Sequence, residues 1–229
     1  MTETTLSNSS LTRLVLSRYL MAFFALAAMF FLSAGTLAYW EAWLYLAILF
    51  IPMAFVMVYL LKNDPQLLER RMHMREREKA QKRIISFSWL WFLLAFLLPG
   101  LDHRFGWSDV PVGVVLLAAG LVLLGYGLVF WVFRANSYAS RVIEVAQGQQ
   151  VIDSGPYAII RHPMYIGSIV LYVFSPLTLG SWWAMIPALP IIPILVLRIL
   201  NEEKLLVKDL PGYEAYRQKV KYRLLPGIW

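Results

Sequence analysis

The sequence contains no cysteine and few histidines. Among its 229 residues there are no cysteines and three histidines, His73, His103 and His162. The absence of cysteine excludes disulfide bonds, thiolate metal ligands and a cysteine nucleophile. The histidines are far apart in the sequence, so their spacing does not predict a metal site.

Charged residues are also scarce, and apolar residues take their place. Only 15% of the chain is charged, whereas 59% is hydrophobic and the mean hydropathy is +0.60. A soluble domain carries about 25% charged residues, so the composition predicts an integral membrane protein. Uncharged runs close to the ~20 residues that cross a bilayer occur at 19–40, 42–61, 84–101 and 110–133.

A fifth uncharged run, residues 163–197, is too long for one membrane helix and slightly short for two. Pro176, Gly180 and Ser181 lie at its centre, and these residue types favour a turn. We therefore predict a helical hairpin. The predicted fold class is all-α: a polytopic membrane protein with five to six transmembrane helices, a C-terminal helical hairpin and a cytoplasmic C-terminal helix.

The basic residues predict the orientation of these helices. If the N-terminus is cytoplasmic, 20 of the 21 Lys and Arg residues lie on the cytoplasmic side and only Arg104 lies outside. Since cytoplasmic loops are enriched in basic residues, we predict a multi-pass protein whose N-terminus, C-terminus and active site are cytoplasmic. The net charge of +7 then favours anionic membrane lipids as partners, not nucleic acid. The charge-dense loop 62–83 is interpreted as a solvated amphipathic segment, with a gating role as the alternative.

The segment from Ser154 to Gly167 places polar side chains at the mouth of a predicted span. Its sequence is SGPYAIIRHPMYIG. Pro163 suits the first turn of a helix, because its missing N–H would be unpaired there anyway. Arg161 and His162 would then lie beside free backbone N–H groups and the positive end of the helix dipole. Such a corner can bind an anionic group such as a carboxylate.

This segment resembles the isoprenylcysteine carboxyl methyltransferase family, which has a Gly-x-Tyr-x-x-x-Arg-His-Pro-x-Tyr-x-Gly pattern. The matching positions are Gly155, Tyr157, Arg161, His162, Pro163, Tyr165 and Gly167. A second match lies downstream, at Arg198, Glu202, Leu205, Tyr213 and Tyr216. The resemblance covers roughly residues 134–229. We therefore expect an N-terminal transmembrane region with a basic cytoplasmic loop, residues 1–133, and a catalytic region, residues 134–229.

The resemblance implies a membrane-embedded enzyme that uses S-adenosylmethionine as its cofactor and a lipidic or prenylated small molecule as its substrate. It implies that Arg198 binds the substrate and that Arg198 and Arg161 are catalytic. The implied cofactor-binding residues are Gln150, Val151, Ile152, Tyr157, His162, Pro163, Met164, Tyr165 and Glu202. No metal is implied.

Several of these roles have plain structural alternatives. Residues 150–152 are assigned only by their position before the Gly-x-Tyr element, and they equally suit a simple turn. Arg198 and Glu202 are four residues apart, which is also the spacing of an ordinary ion pair on a helix. Glu203 is expected to point elsewhere on that helix. Tyr213 and Tyr216 are interpreted as sealing the cap, because the family's preceding Phe-Gly pair is replaced here.

The chemistry implied by the resemblance is modest. A carboxylate acceptor, with an ordinary pKa near 4, is already ionised at neutral pH and needs no general base. We therefore predict methyl transfer to a lipidic acceptor, with the carboxylate of an isoprenylcysteine-like substrate as the first choice. The alternatives are a phospholipid amine N-methyltransferase, in which His162 or Glu202 would serve as a base, an NADPH-dependent sterol or enone reductase of related scaffold, and a non-enzymatic membrane scaffold.

Overall fold

The computed structural model describes residues 7–72 and 79–229, and the regular secondary structure of that part of the chain is entirely helical. The helices are α1 (Asn8–Ala34), α2 (Trp40–Asn63), α3 (Pro65–Met72), α4 (Lys79–Phe105), α5 (Val112–Ala135), α6 (Pro163–Thr178), α7 (Met185–Ala188), α8 (Ile191–Asp209) and α9 (Tyr213–Lys219). A 3₁₀ turn, Gly155–Ala158, lies between α5 and α6. The predicted all-α fold class is confirmed. Within the basic loop 62–83, residues 73–78 lie outside the described part of the chain.

Within the described residues, four segments are long and apolar enough to cross a membrane. They are Asn8–Ala34, Trp40–Asn63, Val112–Ala135 and Met185–Asp209, and Pro163–Thr178 is a shorter apolar helix. Large apolar side chains such as Leu32, Ile51 and Leu124 are exposed on these helices, as expected where lipid replaces water around the protein. The chain is therefore an integral membrane protein. The count of five to six spans and the cytoplasmic location of both termini stay predictions.

The helices extend past the uncharged runs that predicted them. The run 19–40 lies largely in α1, but α1 already begins at Asn8. The Ser7 hydroxyl caps it by accepting a hydrogen bond from a backbone N–H of the first turn. Arg13 and Arg18 lie before the apolar run. They do not end the helix, because arginine is a good helix former. These two charged residues therefore mark where the apolar run begins but not where α1 begins.

The predicted hairpin is present in residues 163–197. Helix α6 ends at Thr178, and the chain reverses before α7 and α8. Gly180 has a φ of 72°, in the left-handed region that favours glycine. The backbone N–H of Ser181 donates to the carbonyl of Pro176 at 2.9 Å, which closes the end of α6.

A buried carboxylate fastens the hairpin turn to the loop that follows α4. Asp102 is 1% exposed. It accepts hydrogen bonds from the backbone N–H and the hydroxyl of Ser108, both at 2.6 Å, and from the hydroxyl of Ser181. Three donors satisfy a carboxylate that would be costly to bury alone. This contact fixes the end of α6 that lies away from residues 154–163.

Helices α5 and α6 pack closely enough to require glycine. A Cβ added at Gly167 would lie 2.7 Å from Cγ2 of Val129 and 2.8 Å from the carbonyl oxygen of Gly125. A Cβ at Gly125 would lie 3.0 Å from the carbonyl oxygen of Gly167. Small residues allow such close backbone approach between membrane helices. The contact places the start of α6, with its Arg-His-Pro segment, against α5.

Gly167→Ala is therefore expected to destabilise the protein by about 1–3 kcal/mol, the usual range for overpacking. The measurement is the melting temperature of the detergent-solubilised protein, followed by tryptophan fluorescence. Gly127→Ala on α5 is the matched control, since a Cβ there meets no atom within 4 Å. Equal melting temperatures for the two variants would contradict the close contact.

Candidate active site

A polar cavity lies between four parts of the chain: the α5–α6 connection, the start of α6, α8 and α9. It encloses about 780 Å³ of empty space, part of which is open to solvent. Nine of the residues predicted from the sequence line it: Gln150, Val151, Ile152, Tyr157, Arg161, His162, Met164, Tyr165 and Glu202. The folded chain thus brings together residues that are up to 52 positions apart in the sequence.

The other two predicted residues, Pro163 and Arg198, lie beside the cavity and do not line it. Pro163 is buried as the first residue of α6, the position expected for it. Arg198 lies on α8 and reaches the cavity wall through Tyr165. Its Nε donates to the Tyr165 hydroxyl at 3.2 Å, and its Nη2 donates to the carbonyl of Arg141 at 2.8 Å.

Arg198, Tyr165 and Glu202 form a hydrogen-bonded chain along one side of the cavity. The Tyr165 hydroxyl accepts from Arg198 and donates to Oε2 of Glu202 at 2.5 Å. The spacing of Arg198 and Glu202 predicted one helical face, and Tyr165 from α6 now bridges them. The arrangement orients a carboxylate towards the cavity and a guanidinium at its edge.

A second charged cluster, centred on Glu203, lies behind the cavity. Glu203 is 4% exposed. Its Oε1 is 2.8 Å from Nε of Arg161 and 3.2 Å from Nε2 of His162, and its Oε2 is 2.9 Å from Nε of Arg223. Glu203 does point elsewhere on the helix than Glu202, but its contact with the Arg-His pair was not predicted from the sequence. Adjacent residues on a helix do face different directions, but here Glu202 faces the cavity while Glu203 faces the Arg-His pair.

Arg161 joins the motif to the C-terminal tail. Its Nη1 donates to the carbonyls of Val220 at 3.0 Å and Lys221 at 3.2 Å. The backbone N–H groups of Arg161 and His162 donate to the carbonyls of Tyr222 and Arg223 at 2.9 and 3.0 Å. With its guanidinium held in this way, Arg161 has the contacts of a positioning residue. The catalytic role implied by the resemblance stays a prediction.

The comparisons with known proteins bear on this geometry. Residues 114–211 match the family model described as phospholipid methyltransferase. The match includes the Arg-His-Pro segment, Arg198, Glu202 and Glu203. This part of the chain is therefore similar to phospholipid methyltransferases. The methyltransferase resemblance found in the sequence is confirmed at this level.

One solved structure similar to this chain is that of the eukaryotic intramembrane Ras methyltransferase, isoprenylcysteine carboxyl methyltransferase. The two share 17% sequence identity with a TM-score of 0.48, over 93% of this chain and 86% of that chain. Comparison with curated protein sequences gave no match.

Tyr157 and Tyr216 hold the cavity wall in place. The Tyr157 hydroxyl accepts a hydrogen bond from the amide of Asn136 at 2.9 Å, and the Tyr216 hydroxyl donates to the carbonyl of Tyr157 at 2.8 Å. Burial raises the pKa of Tyr157 to about 12, so its hydroxyl is neutral at pH 7. Tyr216 therefore closes this side of the cavity, which agrees with the sealing role interpreted from the sequence.

Tyr213 is a residue whose place in the cavity the sequence interpretation missed. It is 4% exposed and lines the cavity, and its buried hydroxyl has no hydrogen-bond partner in the described part of the chain. Burial, reinforced by the charges of Glu203 and Glu202, raises the pKa of Tyr213 well above its usual range. A buried neutral hydroxyl without a partner is rare in proteins. It is suited to donate a hydrogen bond to a ligand in the cavity.

Proposed function

We propose that this methyltransferase transfers a methyl group from S-adenosylmethionine to the carboxylate of a lipidic, isoprenylcysteine-like acceptor. The observation that carries the proposal is the polar cavity lined by nine of the predicted site residues, with Arg198 held at its edge.

The chemistry of the cavity wall fits S-adenosylmethionine. Glu202 supplies a carboxylate for the α-amino group or the ribose hydroxyls. The unpartnered Tyr213 hydroxyl offers a donor to the cofactor's acceptor atoms. Apolar side chains on the same wall suit the adenine ring: Val142, Ile143, Val151, Ile152, Leu206 and Leu210. When bound, this cofactor supplies an electrophilic methyl group on a sulfonium.

Arg198 is proposed to orient the acceptor. Its guanidinium is fixed by Tyr165 and by the carbonyl of Arg141, and a guanidinium matches the geometry of a carboxylate. It lies on α8, within the apolar segment Met185–Asp209, so a lipid tail can remain among the helices while the head group meets the cavity. Alignment of the two reactants can lower the barrier by roughly 7–11 kcal/mol.

A phospholipid amine is the second candidate acceptor, and the description of the matching family supports it. An amine must lose a proton before or during transfer, so it needs a base. Both candidate bases hold fixed partners: His162 contacts Glu203 at 3.2 Å, and Glu202 accepts from Tyr165 at 2.5 Å. A carboxylate acceptor needs no base, so it is the first choice.

Binding of the cofactor product is the first test. Calorimetric titration of the detergent-solubilised protein should give saturable binding of S-adenosylhomocysteine and none of NADPH. Glu202→Gln is expected to weaken that binding about tenfold or more, because a hydrogen bond to a charged group contributes about 1.5–3 kcal/mol.

The matched control is Glu214→Gln, an exposed acid on α9 that pairs with Arg217. Its affinity for S-adenosylhomocysteine should equal that of the wild type. Binding of NADPH alone would favour the reductase. Binding of neither would favour a non-enzymatic scaffold, and a normal affinity in Glu202→Gln would remove Glu202 from the cofactor site.

A further inference from the structure

Helix α3 contacts the cavity wall although it lies outside the matched residues 114–211. Nη2 of Arg70 donates to the carbonyl of Ser137 at 2.6 Å, and Nη1 of Arg71 donates to the carbonyl of Ala139 at 2.9 Å. The residue between these two carbonyls, Tyr138, lines the cavity, and so does Ala139. Two adjacent arginines therefore hold one stretch of the wall from outside.

Arg71 also reaches a second part of the wall. Its Nη1 lies 3.9 Å from the sulfur of Met164, a cavity-lining residue at the start of α6. Its guanidinium lies over the ring of Phe133 at 4.3 Å from the ring centre, a favourable cation–π distance. One side chain thus connects the end of α5, the α5–α6 connection and the start of α6.

Helix α3, which carries Arg70 and Arg71, is packed firmly against α1. Leu67 and Leu68 of α3 are buried in a cluster that includes Leu11 and Val15 of α1. Arg18 of α1 donates to the carbonyl at the C-terminal end of α3. Helix α3 is therefore fixed to α1, and a displacement of Arg71 would require this cluster to move.

The wall itself has little regular structure. Between the end of α5 and Gly155 the described chain contains turns and extended segments only. The carbonyl of Asn136 accepts from Ala139 N–H at 3.3 Å and its side chain accepts from Tyr138 N–H at 2.8 Å. Such short-range bonds shape a turn but do not fix its distance from α6. Contacts from outside the turn have to do so.

Burying a guanidinium is unfavourable unless its contacts compensate. Burial, together with the charge of Arg141, lowers the pKa of Arg71 to about 10. An apolar side chain at this position would pack against Phe133 without that penalty. The contacts of Arg71 with the carbonyl of Ala139 and the sulfur of Met164 explain why an arginine occupies this position.

We propose that Arg71, assisted by Arg70, is a positioning residue that holds residues 137–139 against the start of α6 and so sets the affinity of the cavity for S-adenosyl ligands. This inference rests on the proposed function for the identity of the ligand. It assigns part of the cofactor site to the N-terminal region, in a loop otherwise interpreted as a solvated segment.

The test compares Arg71→Gln and Arg71→Lys with the wild type in the full-length, detergent-solubilised protein. Arg71→Gln should weaken S-adenosylhomocysteine binding about tenfold, as expected for loss of charge-assisted contacts. The KM for S-adenosylmethionine should rise by a similar factor, while kcat changes less than about twofold. Arg71→Lys should recover part of the affinity, because it keeps the charge but loses the planar fork.

Trypsin cleavage after the exposed Arg141 provides a readout that needs no ligand. The ligand-free Arg71→Gln variant should be cut there several times faster than the wild type, since a released wall is more accessible. Lys62→Gln, an exposed basic residue at the end of α2, is the matched control and should leave both readouts unchanged.

Unchanged affinity and unchanged cleavage in Arg71→Gln would overturn the inference while leaving the proposed function intact. A lower melting temperature with unchanged affinity would also overturn it, because that is the result of a purely structural role. Wild-type protein that does not bind S-adenosylhomocysteine would overturn the proposed function and this inference together. If Arg71→Gln does not fold, Arg71→Lys and Arg70→Gln carry the same comparison.

Discussion

Glu203→Gln is expected to lower the melting temperature of the protein by about 6–20 °C. The substitution leaves Arg161, Arg223 and His162 facing a neutral amide in a buried cluster. Removing one partner of a buried ion pair destabilises a protein by about 3–5 kcal/mol, and each kcal/mol shifts the melting temperature by about 2–4 °C at this chain length. Tryptophan fluorescence can follow the transition, since the chain has nine tryptophans and no cysteine for a thiol-reactive dye.

Glu202→Gln, one residue away on α8, is the matched control for this prediction. Its carboxylate faces the cavity and is not part of the buried cluster. We expect Glu202→Gln to lose affinity for S-adenosylhomocysteine with a much smaller change in melting temperature. Equal melting temperatures for Glu203→Gln and the wild type would show that the cluster does not stabilise the fold.

Arg198→Gln is expected to reduce kcat/KM for a carboxylate acceptor by about 30-fold or more. Truncating one side of a hydrogen-bonded charge pair typically costs about 2–5 kcal/mol. Because Arg198 lies beside the cavity and not on its wall, the affinity for S-adenosylhomocysteine should remain within about twofold of the wild type. The measurements are acceptor kinetics and calorimetry on the same protein preparation.

Two further variants sharpen the prediction for Arg198. Arg198→Lys should restore part of the acceptor kinetics, since it keeps the charge but not the bidentate geometry. Lys204→Gln, an exposed cation on the same helix, should behave as the wild type. If Arg198→Gln weakens S-adenosylhomocysteine binding as much as it slows transfer, then Arg198 serves the cofactor and not the acceptor.

Most of the helical architecture could be predicted from the sequence because lipid-facing helices must be apolar along their whole length. The uncharged runs located α2 and α5 to within a few residues. The hairpin followed from turn-forming residues at the centre of a run too long for one helix. The run 19–40 missed both ends of α1, which begins at Asn8 and ends at Ala34, because the caps at Ser7 and Gly35 decide these boundaries.

The cavity-lining residues were predictable as far as they lie in a recognisable local pattern. Tyr157, His162 and Tyr165 line the cavity because they surround one helix start. The partners of those residues were not predictable in the same way. Glu203 meets Arg161 across 42 positions of sequence, and Arg71 meets Ala139 across 68, so these pairs depend on how the helices pack.

One clue to Glu203 was nevertheless present in the sequence. A buried Arg-His pair at a membrane edge needs a compensating anion, because an unpaired charge is costly there. Two adjacent glutamates just after the last predicted span supply two anions, one for the buried cluster and one for the cavity. The choice between them required the geometry of α8 relative to α6.

A labelled methyl group shows which acceptor the protein modifies. The purified protein in lipid vesicles is given S-adenosylmethionine labelled in its methyl group, with N-acetyl-S-farnesylcysteine or phosphatidylethanolamine as acceptor. We predict label on the farnesylcysteine that alkali releases as methanol, the behaviour of a methyl ester. Alkali-stable label on phosphatidylethanolamine would contradict the carboxylate assignment, and transfer to neither acceptor would contradict the proposed function.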